Sequence, residues 1–249
     1  MAASQNMSGV RSVSFSGIDG AGKSTQIESL RCELEKLGLR VRVLRFWDDI
    51  AALTRLREET GHKVFKGERG IGSPTAPVNR RDKNVRGWLM TSLRLLLYLL
   101  DGLSLRKVFR TAAHGDTDFI IFDRYAYDEL ANLDLNRSLI RGYARLIAWL
   151  VPKPDISFIL DADPEAARAR KPEYPVEFLR FNREAYLRLS RLFALTVVPA
   201  MEIAEAHREI LSRTLEILAA NCTLVADPVS NPRKDPSALD APRPRPAIF

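Results

Sequence analysis

Cysteine is scarce. The 249 residues hold two, Cys32 and Cys222. Neither lies in a Cys-x-x-Cys or Cys/His spacing, which excludes a disulfide framework and a zinc ribbon and leaves both as reduced core thiols. A long hydrophobic run is also missing. The most apolar window, Leu93 to Leu105, is interrupted by Arg94 and Asp101 and is too short for a bilayer, so it reads as a buried helix. Met1 to Gly9 has neither a basic stretch nor an apolar run, so no signal peptide is expected. No internal repeat is visible. The setting expected from these absences is the cytoplasm, with no membrane partner.

What is present suits one globular domain. A hydrophobic content of 46% and a charged content of 28% supply enough apolar material for a single α/β core. The net charge of +7 points to a polyanion, which charge alone leaves open as a nucleotide, a nucleic acid or an acidic membrane surface.

Val10 to Ser16 alternates apolar and small polar residues before Gly17 and reads as a strand. Ser24 to Leu37 follows as an amphipathic helix that Gly38 stops. Further strands are expected at Arg40 to Phe46, Phe119 to Phe122, Ile156 to Leu160 and Leu195 to Val198. Helical patterns separate them at Arg86 to Thr111, Arg137 to Leu150, Val176 to Leu192 and Glu202 to Ala220. Strand and helix alternate throughout, which predicts a doubly wound parallel sheet of about five strands. Lys63 to Asp82 reads either as a mobile basic loop near a ligand or as a solvated insertion. Residues 1–9 and the Pro-rich tail 226–249 are expected to be disordered around a folded domain at 10–225.

Gly17-Ile18-Asp19-Gly20-Ala21-Gly22-Lys23-Ser24 matches the GxxxxGK(S/T) phosphate loop and lies between strand and helix, as the mechanism requires. Glycines let backbone N–H groups converge on phosphates, the helix adds its positive N-terminus, and Lys23 bridges phosphate oxygens. Ser24 supplies a hydroxyl to Mg2+. The expected ligand is therefore ATP, held by Gly17, Gly20, Ala21, Gly22, Lys23, Ser24 and Thr25, in an α/β three-layer sandwich of the P-loop type with helices on both faces. Phosphoryl transfer needs positioning and charge neutralisation more than a covalent nucleophile.

Ligands of open parallel sheets sit beyond the strands' carboxyl ends. Asp123 and Arg124 end the third strand, where Asp123 can order Mg2+ and Arg124 can clamp an acceptor phosphate, or the two form a surface pair. Arg45 ends the second strand as either an acceptor-binding cation or a plain strand-end charge. Asp19, inside the phosphate loop, is repelled by triphosphate unless it faces the acceptor or a cation, and so points to acceptor contact. Pro164 to Lys171 carries Arg168, Arg170 and Lys171, which form either a lid over ATP, at about 168–177, or a solvated helix face. Tyr98 and Tyr125 either flank an acceptor base or belong to the core. Much of the positive charge is taken up by the phosphate site and the tail, so no nucleic-acid partner is expected.

The run Phe15-Ser-Gly-Ile-Asp-Gly-Ala-Gly-Lys-Ser-Thr25, with Leu44-Arg45-Phe46, Asp123-Arg124-Tyr125 and Leu160-Asp161 through Arg170, resembles thymidylate kinase from about Val10 to Ala220. The resemblance implies transfer of the γ-phosphoryl of ATP to dTMP with Mg2+, commonly by a homodimer with a mobile lid. It places Asp19 at the acceptor sugar, Arg45 and Arg124 at the acceptor phosphate, and Arg170 as the catalytic lid arginine beside Lys23 and Arg124. Some members carry an arginine in the phosphate loop where this chain has Gly20, so the charge is expected from the lid. The family's thymine-reading arginine is replaced in Leu96 to Gly102, which ends Asp101-Gly102, and Arg106 is the nearby cation that can take its place. After Asp-Arg-Tyr the family's serine gives way to Ala126-Tyr127-Asp128-Glu129, and the lid shortens to Lys171-Pro-Glu-Tyr-Pro-Val176. A nucleoside or other small metabolite as acceptor, and a non-catalytic ATP-binding protein, are the rival readings.

Overall fold

The computed structural model describes residues 10–50 and 88–225. The strands are β1 (Arg11–Ser16), β2 (Val41–Arg45), β3 (Phe119–Asp123), β4 (Ile156–Leu160) and β5 (Thr196–Val198). They form one parallel sheet in the order β2-β3-β1-β4-β5. The helices are α1 (Lys23–Lys36), α2 (Trp88–Ala113), α3 (Ala126–Leu130), α4 (Ser138–Leu150), α5 (Pro164–Arg170), α6 (Val176–Phe193) and α7 (Ile203–Val225).

The pleat sends alternate side chains to opposite faces, and in β3 both faces are apolar. In β3, Phe119 and Ile121 join Ile27, Leu30 and Leu34 of α1 and Ile210 of α7. Ile120 and Phe122 turn the other way, into a core with Leu105 of α2, Ile147 of α4 and Leu189 of α6. A strand covered on both sides needs the nearly continuous apolar run that β3 has. Fully burying a leucine such as Leu30 or Leu34 contributes roughly 1.5–3 kcal/mol.

The expected α/β architecture is therefore present, with boundaries moved by a few residues. Two elements were not expected from sequence. One is a single π-helical turn at Phe46–Ile50, directly after β2, anchored by buried Phe46 and Ile50. The other is α3, too short to give a periodic signal. Cys32 is half-buried, not core, because it lies off the Ile27, Leu30, Leu34 stripe of α1. The side chain of Cys222, the basic loop Lys63 to Asp82 and the segments 1–9 and 226–249 lie outside the described residues. No helix among the described residues is long and apolar enough to cross a membrane.

Candidate active site

The parallel register aligns the strand ends: Phe15 lies opposite Asp123, and Asp123 opposite Arg45. The phosphate loop, Arg45 and the Asp-Arg-Tyr turn thus gather at the carboxyl edge of the sheet, around the central strand β1.

The loop's glycines are required by two close approaches. At Gly17, with φ 145°, a Cβ would lie 2.5 Å from the Leu160 carbonyl oxygen, and at Gly20, with φ 85°, it would run into the Ala167 carbonyl of α5. A side chain at either position would meet backbone, so an arginine at position 20 would require α5 to move. Gly22 opens α1 in the left-handed conformation with no side-chain cap, and no acidic residue follows in the first turn. The free first-turn N–H groups and the positive helix end are then available to an anion. Ser24 and Thr25 are exposed there, and Ala21 is half-buried.

Lys23 is 6% exposed and donates to the carbonyls of Gly17 at 2.8 Å and Ile18 at 2.9 Å. Three ammonium protons with two used leave one for a phosphate oxygen. Burial, and then the Arg124 charge, pull its pKa down to about 8, partly offset by Asp19, Asp128 and Asp123.

Arg124 follows β3 with φ 69°, a left-handed conformation uncommon for a residue with a side chain. Its N–H donates to the Phe15 carbonyl at 3.0 Å. The guanidinium donates to Asp19 and, at 3.5 Å, to Asp128. Burial alone would lower its pKa, and Asp19 and Asp128 outweigh that and raise it. Asp128 is buried and also accepts from Ser16 Oγ at 2.5 Å, the Tyr125 N–H at 3.0 Å and Tyr186 Oη at 2.9 Å. It sits at the third position of α3, where a carboxylate reaching back to the preceding N–H forms half of a capping box. Sequence reading passed over Asp128 as a site residue. The available signal was its spacing, four residues after Arg124.

Other expected residues fall differently. Arg45 is exposed, with its backbone N–H tied to Asp49 at 2.7 Å. Asp123 is half-buried at the end of β3. Arg168 donates to the Tyr174 carbonyl and braces the turn after α5, while Arg170 is exposed. Tyr125 is fully buried, its hydroxyl donating to the Pro152 carbonyl and its ring 5.1 Å from Phe122, so its ring faces core and not a base. Tyr98 is buried in the same core. Gly102 is buried, with a Cβ there 3.1 Å from Leu150 Cδ2 of α4, and Arg106 is exposed.

Among the described residues no group of three His, Cys, Asp or Glu is arranged to hold a metal alone. Mg2+ in nucleotide sites takes one or two protein oxygens and fills the rest with phosphates and water. A Ser24 hydroxyl with the Asp123 carboxylate is a donor pair of that kind.

No family model matches the chain. It is 31% identical over 184 residues to the thymidylate kinase of Chlorobium luteolum, covering 72% of this chain and 75% of that one. It is 28% identical to the probable thymidylate kinase of Methanosphaera stadtmanae, covering 70% and 80%. The crystal structure of thymidylate kinase from Ehrlichia chaffeensis superposes with a TM-score of 0.54 at 18% identity, covering 82% of this chain and 98% of that one, and so shares its fold. With a relative at this identity covering three quarters of its length, the chain belongs to the thymidylate kinase family.

Proposed function

We propose that this chain is an ATP-dependent nucleoside monophosphate kinase that converts dTMP and ATP to dTDP and ADP in the cytoplasm. The observation that carries the reading is the meeting, on Asp19, of a glycine-built phosphate loop and the Arg124 guanidinium. That brings a triphosphate-binding element and a monophosphate-clamping element to one carboxylate. The family's named relatives support dTMP as the acceptor.

In this reading Gly17, Gly20, Ala21, Gly22, Lys23, Ser24 and Thr25 hold ATP, with Arg168 bracing the lid segment at about 168–177. Ser24 and Asp123 would hold Mg2+, which would supply neutralising charge to the phosphates. Asp19, Arg45 and Arg124 orient the acceptor. Lys23 draws charge from the γ-phosphoryl as it leaves ADP. The decisive experiment follows ADP release with dTMP, ATP and Mg2+, for the wild type and Lys23→Ala. Turnover that depends on dTMP and disappears in K23A supports the reading. No dTMP-dependent ADP, with ATP still bound, refutes it.

Exposed apolar side chains on α2 and α4 support the homodimer implied by the family. Leu96 and Leu103 of α2, and Leu139, Leu146 and Trp149 of α4, are exposed at one-face helical spacings, Trp149 at 73%. The two helices pack side by side. Exposed apolar side chains on neighbouring helices favour self-association, and Leu146→Glu is expected to shift the mass measured by sedimentation to that of a monomer.

A further inference from the structure

Two departures from the family pattern, Asp128 after the Asp-Arg-Tyr run and Lys171 with Glu173 after the lid helix, are distant in sequence and meet around one side chain. Arg124, held by Asp128, donates to Asp19 Oδ1, and Lys171 Nζ lies 3.9 Å from that same oxygen. Lys171 Nζ is also 3.2 Å from Glu173 Oε1. The row runs Asp128, Arg124, Asp19, Lys171, Glu173, with charges alternating, so that two cations converge on one carboxylate oxygen of the phosphate loop.

The segment carrying Lys171 is firmly placed. Pro172, Glu173 and Tyr174 are buried, and Tyr174 stacks on Phe178 at 4.9 Å. The Lys171 N–H donates to the Ala167 carbonyl at 3.0 Å, the same carbonyl against which Gly20 packs. Glycine at position 20 therefore lets the lid helix approach closely enough to bring Lys171 to the loop. Arg170 is the last residue of α5, whereas Lys171 is its C-cap with φ −141° and ψ 86°, outside the helical conformation. Arg170 is exposed, whereas the Lys171 side chain is 38% exposed beside Asp19.

We propose that Lys171 is the catalytic cation of the lid: its ammonium and the Arg124 guanidinium together take the acceptor phosphate, which displaces the Asp19 oxygen they share. This rests on the kinase reading above. In the transfer, an oxygen of the acceptor phosphate bonds to the γ-phosphorus while the bond from that phosphorus to the β–γ bridging oxygen breaks, and its electron pair leaves with ADP. Two anions must approach each other, so positive charge fixed beside the attacking oxygen lowers the barrier. Lysine is a compact charge on a flexible stem and can follow the phosphate as Asp19 yields it. Glu173 is a positioning residue that keeps the ammonium near the loop.

The test uses the full chain with ATP, Mg2+ and dTMP. Lys171→Ala is expected to lower kcat about a hundredfold, the scale of losing one preorganised charge contact. Its KM for ATP stays within about twofold and its melting temperature is unchanged. Lys171→Arg recovers most of the rate, and Arg213→Ala, an exposed cation on α7, retains wild-type turnover. A K171A kcat within about threefold of wild type, or a loss carried wholly by the KM for ATP, overturns the proposal. If the wild type transfers nothing to dTMP, the dTMP reading fails separately, and inorganic phosphate with MgADP becomes the probe of Lys171. Phosphate then raises the melting temperature of the wild type and not of K171A. Equal shifts in both, zero included, overturn the role of Lys171.

Discussion

Replacing Lys23 by methionine separates the cost of its charge to the fold from its use to phosphate. The folded protein holds this ammonium almost out of water and lowers its pKa from 10.5 to about 8, burial being the largest cause. At 1.36 kcal/mol per pH unit, that depression corresponds to about 3 kcal/mol. The sign follows from proton binding. Below pH 8 both states carry the proton and the folded state bears the full cost; between about 8 and 10.5 the folded protein has shed it while the unfolded chain keeps it, so stability rises with pH. The methionine variant has no such group. It loses the bonds to the Gly17 and Ile18 carbonyls, about 1–3 kcal/mol, and regains a similar amount by removing the buried charge. At pH 7 its melting temperature should thus lie within a few degrees of wild type, although transfer is abolished. From pH 7 to 10.5 the wild type should gain on the variant by roughly 6–12 °C, at about 2–4 °C per kcal/mol for a domain of this size. Thermal unfolding of both proteins across that range is the assay. Parallel pH profiles would refute the assignment of the buried ammonium. The same depression predicts that kcat/KM for ATP falls above about pH 8, because the free enzyme then lacks the charge that meets triphosphate.

Asp128→Asn should destabilise by about 2–4 kcal/mol, since Arg124 loses a buried carboxylate and Ser16, Tyr125 and Tyr186 share a poorer acceptor; urea unfolding measures it, and a change under half a kcal/mol would show that Asp19 alone holds Arg124. Gly20→Ala should cost at least about 2 kcal/mol and displace α5, from the positive φ and the Ala167 carbonyl together; an unchanged melting temperature would sink this. Arg124→Ala should raise the KM for the acceptor and lower kcat with the KM for ATP unchanged, and an effect confined to ATP would contradict its assignment. Arg45→Ala should raise the acceptor KM without altering the melting temperature, because Arg45 is exposed and supports no core.

The sequence by itself determined the parts whose physics is local. The apolar run of β3, the helix stripe Ile27, Leu30, Leu34, and a glycine loop between strand and helix are patterns of neighbours, legible without knowing what they pack against. Tertiary structure decided what depends on partners distant in the chain. Tyr125 reads the same whether it faces a base or a core; only the Pro152 carbonyl, 27 residues away, settles that it faces the core. Gly20 looks like one more loop glycine until Ala167 of α5 is found against it. Asp128 and Lys171 acquire meaning only through Asp19, which is 105 positions from the Arg124 that it joins to Lys171. Periodicity and spacing record which face a residue takes, whereas ion pairs form between side chains that the fold brings together, and no local pattern encodes that meeting.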